Sequence, residues 1–245
     1  MVSDKELRER VEPFITKFSY DYNSNESLSE ALYDEIPVAT YLLYQYRNAY
    51  HDPKENETIF TQIFSACGVL DKDRNPYYQM AKKIEEEYGL DRDIIEVGGG
   101  MVPALAMEIA KRQKEIGKGT ITVYDPEAIF KTLDGVKIIR EKFTLATPVK
   151  PTDLLIGRKP CRATPTIIKS ANKRNIEFYI SLCNCDHTPD EYCLTHRGID
   201  GNIWYDYIEE TARDTLPEGM RFERVEEKSL LDDSSVTVVK TKRMR

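Results

Sequence analysis

The sequence predicts an α/β protein in which a mostly parallel sheet follows a helical N-terminal unit. The clearest observation is a buried apolar strand at residues 94–97, followed by three glycines at 98–100 and then by a helical pattern. A second apolar strand at residues 121–124 ends at Asp125. Strands continue to alternate with helices up to residue 183, and such alternation is typical of a parallel sheet.

The remaining elements of the sheet domain follow from the same alternation. Further strands are expected at residues 136–143, 153–157 and 176–183, and helices at residues 165–172 and 204–216. Two last strands, at 220–225 and 236–239, are expected to pair antiparallel around a loop at 231–235, which makes seven strands in all. Pro103 is expected in the first turn of the helix after the glycines, where its missing N–H costs nothing.

The N-terminal third is expected to be helical throughout. Candidate helices span residues 4–17, 27–50, 57–67 and 75–88, and ten of the 15 tyrosines precede Leu90. Most of these tyrosines are expected to pack the helices against the sheet. We therefore divide the chain into a helical domain at residues 1–87, acting as a cap, a substrate-binding unit or a dimerisation surface, and a sheet domain at residues 88–245.

Charge is distributed unevenly along the chain. Residues 1–90 hold 10 basic and 17 acidic side chains, a net charge of −7, whereas residues 91–245 hold 25 of each. Strong nonspecific binding to nucleic acid is not expected, because a basic excess is its usual footprint. Arg158, Lys159 and Arg162 cluster after the fourth strand, so an anionic substrate stays open.

Composition predicts a cytoplasmic protein without a membrane partner. No run approaches the roughly 18 apolar residues that cross a bilayer, and the charged first residues do not resemble a secretory signal. Five cysteines, an odd number, indicate reduced thiols rather than a disulfide framework.

The glycine turn predicts a nucleotide-type crevice at the carboxyl end of the first strand. A dinucleotide fingerprint needs a third glycine where this chain has Pro103. Glu96 also lies two residues before Gly98, where its charge would repel a pyrophosphate. A ligand that carries a cationic ammonium and sulfonium suits the turn better.

The pattern Glu96-x-Gly98-x-Gly100 resembles motif I of the class I, Rossmann-like S-adenosylmethionine-dependent methyltransferases. The resemblance covers about residues 88–245, and a terminal antiparallel hairpin is also a habit of that family. It implies that the glycine turn lies against the methionine part of the cofactor and that Asp125 holds the ribose hydroxyls. The implied cofactor-binding residues are Glu96, Gly98, Gly99, Gly100, Asp125 and Phe143.

The resemblance implies methyl transfer to an acceptor that the sequence does not identify. The Asn/Asp-Pro-Pro-aromatic motif of amino-group methylation is absent after the fourth strand, where Arg158-Lys-Pro-Cys161 stands instead. Candidates for a catalytic group are His187, Lys159 and Cys161. Two alternatives stay open: a catalytically inactive binding module that works through its helical domain, and a nicotinamide-dependent oxidoreductase. Asp125 has its own alternative, as a cap for a helix near Pro126.

Cysteine and histidine are concentrated after the fifth strand. Thiolates and imidazoles at short spacing are what a tetrahedral zinc site needs, and the candidate ligands are Cys183, Cys185, His187, Cys193 and His196. The favoured alternative is a loop of small, partly buried thiols. A third reading places Cys161, Cys183, Cys185 and His187 on the substrate side of the crevice, in distant resemblance to a methyltransferase-domain family with tRNA-modifying members.

Overall fold

The computed structural model describes most of the sheet domain and a small part of what precedes it. The described residues are 62, 65–66, 72–100, 102–128, 130–183, 187–195, 203–228 and 235–244. The predicted helices at residues 4–17 and 27–50 lie outside this part of the chain, as does most of the one at 57–67.

Helices and strands alternate along the described chain. The helices are α1 (Pro76–Tyr88), α2 (Ala104–Ile116), α3 (Thr164–Arg174), α4 (Asp190–Thr195) and α5 (Ile203–Asp214). The strands are β1 (Ile94–Val97), β2 (Ile121–Tyr124), β3 (Thr132–Leu133), β4 (Val136–Ile139), β5 (Leu154–Arg158), β6 (Glu177–Ser181), β7 (Met220–Lys228) and β8 (Ser235–Arg243). Short 3-10 turns occupy Lys72–Arg74 and Cys161–Ala163.

All eight of these strands form one sheet in the order β3-β4-β2-β1-β5-β6-β8-β7. The central strands β4, β2, β1, β5 and β6 are parallel to their neighbours in that run. β8 pairs antiparallel with both β6 and β7, so the expected terminal hairpin is confirmed. A mostly parallel sheet with a reversed last pair is the architecture that the sequence predicted.

The core lies on both faces of the sheet, and β1 shows how its residues are divided between them. Ile94 packs in the cluster that contains α1 and α2 residues, whereas Ile95 and Val97 pack in the cluster that contains α3 and α5 residues. Because successive side chains of a strand point to opposite faces, Glu96 lies on the α2 face. This position sets up its contact with α2.

Helix α1 belongs to the first of these clusters. Its buried side chains are Tyr77, Met80, Ala81 and Ile84, and they pack with α2 and the sheet. The tyrosines at residues 77 and 88 fit the predicted packing role. The Tyr88 ring meets Tyr179 of β6 edge-on, with ring centroids 6.1 Å apart.

Four details differ from the sequence-based expectations. β4 ends at Ile139, so Phe143 lies beyond the strand, and β3 and α4 were not predicted. β3 forms because Asp134 and Gly135 turn the chain back onto β4, with φ of 72° at the glycine. Pro103 is the residue before α2 rather than part of its first turn. Its ψ of 69° is not helical, which places the helix start at Ala104.

No helix in the part of the chain that the structure describes is long and apolar enough to cross a membrane.

The start of α1 offers a test of how this helix is anchored. The Asn75 side chain is buried, accepts hydrogen bonds from the backbone N–H groups of Tyr77 and Tyr78 at 3.0 and 3.2 Å, and accepts one from the Ser65 hydroxyl. Asn75→Ala is expected to lower the free energy of unfolding by about 1 kcal/mol, the usual effect of losing such a cap. Asn75→Asp keeps the acceptor and is the matched control in urea denaturation. Equal stability of the alanine variant and the wild type would contradict the role.

Candidate functional site

Other parts of the protein closely approach the Cβ positions of the glycine turn at the carboxyl end of β1. Gly98 and Gly100 both have φ of 74°, a conformation that residues with a Cβ rarely adopt. A Cβ on Gly98 would lie 3.1 Å from Cα of Pro160, and a Cβ on Gly99 would lie 2.9 Å from Cγ1 of Val123. The turn therefore needs glycine for both conformation and space.

Gln62 approaches the same turn from the N-terminal third. Its side-chain amide would meet a Cβ placed on Gly100. A residue of the predicted helix at 57–67 thus lies against Gly100. Neither this contact nor that of Pro160 was predicted, because no local pattern links these residues to the turn.

Glu96 lies directly beneath the glycine turn and is almost fully buried, with 2% of its surface exposed. Its Oε2 accepts a hydrogen bond of 3.1 Å from the backbone N–H of Ala106 in the first turn of α2. This contact replaces the side-chain cap that Pro103 cannot provide. Oε2 would also lie 3.3 Å from a Cβ on Gly99, so the carboxyl group is adjacent to the turn, as the sequence predicted.

Burial raises the pKa of Glu96 to about 8, against 4.5 for an ordinary glutamate. The hydrogen bond from Ala106 opposes this shift, the nearby Asp125 charge adds to it, and the Arg158 charge opposes it. Removing a carboxylate from water disfavours its charged form. A cation brought to the turn would therefore favour ionisation of Glu96.

Asp125 holds the turn from the other side. Its Oδ2 accepts a hydrogen bond of 2.7 Å from the Gly100 N–H, and its Oδ1 accepts one of 2.8 Å from the Glu127 N–H. Pro126 and Glu127 form a turn rather than the start of a helix, so Asp125 caps a turn and braces the glycine loop. An ionised carboxylate has about four acceptor positions, so both oxygens keep capacity for ligand hydroxyls.

Tyr124 directly precedes this carboxylate in the chain and is in contact with Phe143. Their rings meet edge-on with centroids 5.7 Å apart, and Phe143 is buried in the α3 and α5 face of the core. Contact of Phe143 with a cofactor stays a prediction.

The segment after β5 has an unusual backbone. Lys159 and Cys161 have φ of 52° and 49°, although neither is glycine. The Lys159 N–H donates to Ser181 O at 2.8 Å, and the Cys161 thiol donates to Lys159 O at 3.2 Å. Pro160, held between them, packs on Gly98. Arg158 turns toward α1, where its guanidinium lies 4.9 Å from the centroid of the Tyr77 ring.

Two loops bring cysteine and histidine together beside this segment. The ligand atoms of Cys161, Cys183 and His187 all lie within 4.8 Å of one another. Two of the catalytic candidates, Cys161 and His187, are therefore neighbours. Cys183 and His187 were also among the candidate zinc ligands. Cys193 is a half-buried thiol that is not in this group. Cys185 and His196 lie outside the described residues.

The order of the strands agrees with the predicted fold class. Strands leave β1 in both directions, through β2 and β4 on one side and β5 and β6 on the other, and β8 enters antiparallel between β6 and β7. The predicted Rossmann-like architecture, a mostly parallel sheet with a terminal antiparallel hairpin, is thereby confirmed.

Solved structures of methyltransferases are similar to this chain at low sequence identity. The plantazolicin methyltransferase BpumL in complex with SAH is 15% identical, with a TM-score of 0.39, over 97% of this chain and 99% of that one. The 23S rRNA methyltransferase ErmE is 18% identical, with a TM-score of 0.40, over 68% of each chain. The precorrin-6y C5,15-methyltransferase from Geobacter metallireducens GS-15 is 12% identical, with a TM-score of 0.41, over 68% of this chain and 88% of that one. No protein-family model and no curated protein sequence matches the chain.

Two variants separate the effect of the Pro160 contact on stability from the effect of positive φ alone. Gly98→Ala is expected to lower the free energy of unfolding by about 1–3 kcal/mol, since it combines positive φ with a contact to backbone. Gly117→Ala is the matched control, because Gly117 has φ of 70° with no atom within 4 Å of its Cβ position. Denaturant unfolding compares the two, and the prediction fails if Gly117→Ala is the more destabilising.

The buried carboxyl group of Glu96 predicts a pH dependence of stability. The pKa of Glu96 is higher in the folded protein than in the unfolded chain. The contribution of this group to the free energy of unfolding is therefore fully present below about pH 4.5 and is lost as the pH rises through about 8. Glu96→Gln keeps an oxygen for the Ala106 N–H and does not titrate. Between about pH 5 and pH 8, wild type is expected to lose about 3 kcal/mol of unfolding free energy relative to this variant. A difference that stays constant across this range would contradict the raised pKa.

Proposed function

We propose that this protein transfers a methyl group from S-adenosylmethionine to an acceptor. The observation that carries the proposal is the glycine turn at the carboxyl end of β1, held between two buried carboxyl groups, Glu96 and Asp125. This edge of an open parallel sheet is where ligands bind, next to the strand at which the order reverses. In a sheet of methyltransferase order, it is the position expected for the cofactor.

The residues at the turn fit the parts of this cofactor. The backbone of Gly98 to Gly100 carries no side chains, and it would lie against the methionine part. Asp125, which already braces Gly100, would accept the ribose hydroxyls with its remaining lone pairs. Glu96 would provide negative charge close to the cationic end, because a positive charge favours its ionised form.

The cofactor supplies an activated methyl group on a sulfonium. The protein's share is to align donor and acceptor and to exclude water. Where the acceptor must lose a proton, His187, Lys159 and Cys161 are the candidate groups, and all three follow the carboxyl ends of β5 and β6. General bases act from hydrogen-bond distance of the proton they remove, and this edge of the sheet is the one that also carries the glycine turn.

The N-terminal domain at residues 1–87 is proposed to cap the cofactor site. Gln62 lies against Gly100, so this domain reaches the glycine turn. Tyr77 of α1 packs on Arg158 at the end of β5, which places a second contact from the same domain at the rim. A cap of this kind would help to exclude water from the reacting groups.

Binding and transfer assays distinguish the proposal from its alternatives. Isothermal titration should detect S-adenosylmethionine and S-adenosylhomocysteine, and a labelled methyl group should pass to a component of cell extract. Binding without transfer to any component would support an inactive binding module instead. Tighter binding of NAD(H) than of S-adenosylmethionine would support the oxidoreductase, against which both Glu96 and the missing third glycine argue.

Asp125 provides the sharpest mutational test of the cofactor site. Asp125→Ala is expected to weaken S-adenosylhomocysteine binding by about 1–3 kcal/mol, because it removes a charged acceptor and frees the Gly100 N–H. Asp125→Asn keeps one oxygen for that N–H, and its affinity for S-adenosylhomocysteine should lie between those of wild type and Asp125→Ala. Asp134→Ala, at a solvent-exposed aspartate, is the matched control in titration calorimetry. Unchanged affinity in Asp125→Ala would remove this residue from the site.

A further inference from the structure

The group formed by Cys161, Cys183 and His187 has the dimensions of a metal site. Its three ligand atoms all lie within 4.8 Å of one another. In a tetrahedral zinc site with Zn–S bonds of about 2.3 Å, two sulfur ligands are about 3.8 Å apart. The observed group is within about 1 Å of that spacing, a difference that small side-chain rotations remove.

The register of the sheet explains how residues 22 positions apart along the chain meet. Strands β5 and β6 are parallel neighbours, with Arg158 paired to Ser181 at their carboxyl ends. Cys161 follows three residues after Arg158, and Cys183 follows two residues after Ser181. The two loops therefore leave the sheet side by side, and the second one returns His187 to the same place.

The histidine supplies an independent observation. In the part of the chain that the structure describes, Nε2 of His187 is buried and has no hydrogen-bond partner. A buried polar atom without a partner is destabilising and calls for an explanation such as a bound ion. The ring is also held edge-on against Trp204, with centroids 5.7 Å apart. A fixed imidazole with a buried lone pair is prepared to coordinate a metal.

The backbone around Cys161 indicates that its position is built at a cost. Positive φ at Lys159 and Cys161 is backbone strain, and such strain persists where the surroundings enforce it. The Cys161 thiol lies within 4.8 Å of the ligand atoms of Cys183 and His187. Strained positions of this kind gather at ligand and catalytic sites.

We propose that Sγ of Cys161, Sγ of Cys183 and the His187 imidazole bind one Zn²⁺ ion. Two thiolates and one imidazole suit a borderline-soft divalent cation and not Mg²⁺ or Ca²⁺, which take oxygen ligands. Binding releases the two thiol protons to solvent, and the Cys161 sulfur exchanges its hydrogen bond to Lys159 O for the metal. Zinc binding goes beyond methyl transfer and does not depend on it.

The site differs from the one that sequence spacing suggested, because its first ligand comes from another strand. Cys161 is joined to Pro160, which packs on Gly98. One ligand of the ion would therefore be the residue next to Pro160, which contacts the glycine turn of the proposed cofactor site. The described residues supply three ligands, the number typical of zinc sites that keep one position for water or substrate.

Metal binding is measured on the full-length, reduced protein without cofactor. After loading with Zn²⁺ and removal of excess metal, we expect one zinc per chain by elemental analysis. Loading with Co²⁺ should give sulfur-to-metal charge-transfer absorption and the visible bands of tetrahedral coordination. Cys161→Ser, Cys183→Ser and His187→Ala should each lower zinc affinity at least about 100-fold, since even outer-shell losses cost about 10- to 100-fold. Cys193→Ser is the matched control and should bind zinc as wild type does.

A second measurement avoids substitution altogether, in case a variant fails to fold. Zinc should protect Cys161 and Cys183 of the wild-type protein from alkylation, mapped by mass spectrometry, while Cys193 reacts at an unchanged rate. The proposal is overturned if wild type retains no stoichiometric zinc, or if zinc protects Cys193 and leaves Cys161 reactive. S-adenosylhomocysteine affinity, measured separately on the zinc-free protein, reports on the methyl-transfer proposal alone.

Discussion

Two carboxyl groups buried on either side of one glycine turn are the constraint on which this site depends. Glu96 accepts the Ala106 N–H and so fixes where α2 begins, while Asp125 accepts the Gly100 N–H and fixes how the turn ends. Both groups are buried, and the Asp125 charge adds to the effect of burial in raising the pKa of Glu96. Glu96 and Asp125 therefore hold the turn in shape, and a nearby cation would stabilise negative charge on them. The proposed cofactor carries such a cation.

Most of the sheet could be predicted from the sequence because its strands are short apolar runs between clear breaks. The strands β1, β2 and β5 and the helices α1 and α5 begin and end within two residues of their predicted positions. The exceptions depend on pairing across the sheet. β3 has only two residues and exists because Gly135 turns it onto β4. β4 stops at Ile139, and Phe143, which was expected in this strand, lies beyond it and packs on Tyr124.

The candidate site was predictable only where it is local in sequence. Gly98, Gly100 and Asp125 belong to one strand–helix–strand unit, so their spacing was sufficient to place them together. The contacts of Pro160 and Gln62 with the glycines come from distant segments, and no periodicity signals them. One reading of the sequence placed Cys161, Cys183 and His187 on the same side of the crevice, because they follow two strands expected to line it, and the structure brings their ligand atoms together. The zinc hypothesis used spacing within one loop and therefore did not include Cys161.

The position of β8 has a consequence for synthesis of the protein. β8 leaves the ribosome after the other seven described strands, yet it lies between β6 and β7 and pairs with both. Its Lys240 also binds Glu87 of α1, with Nζ to Oε2 at 2.7 Å. Until this segment emerges, β6 presents an open edge of apolar strand, a surface prone to pairing with other chains. Nascent chains that stall before residue 235 should thus be clients for chaperones, even though the whole glycine turn has already been made.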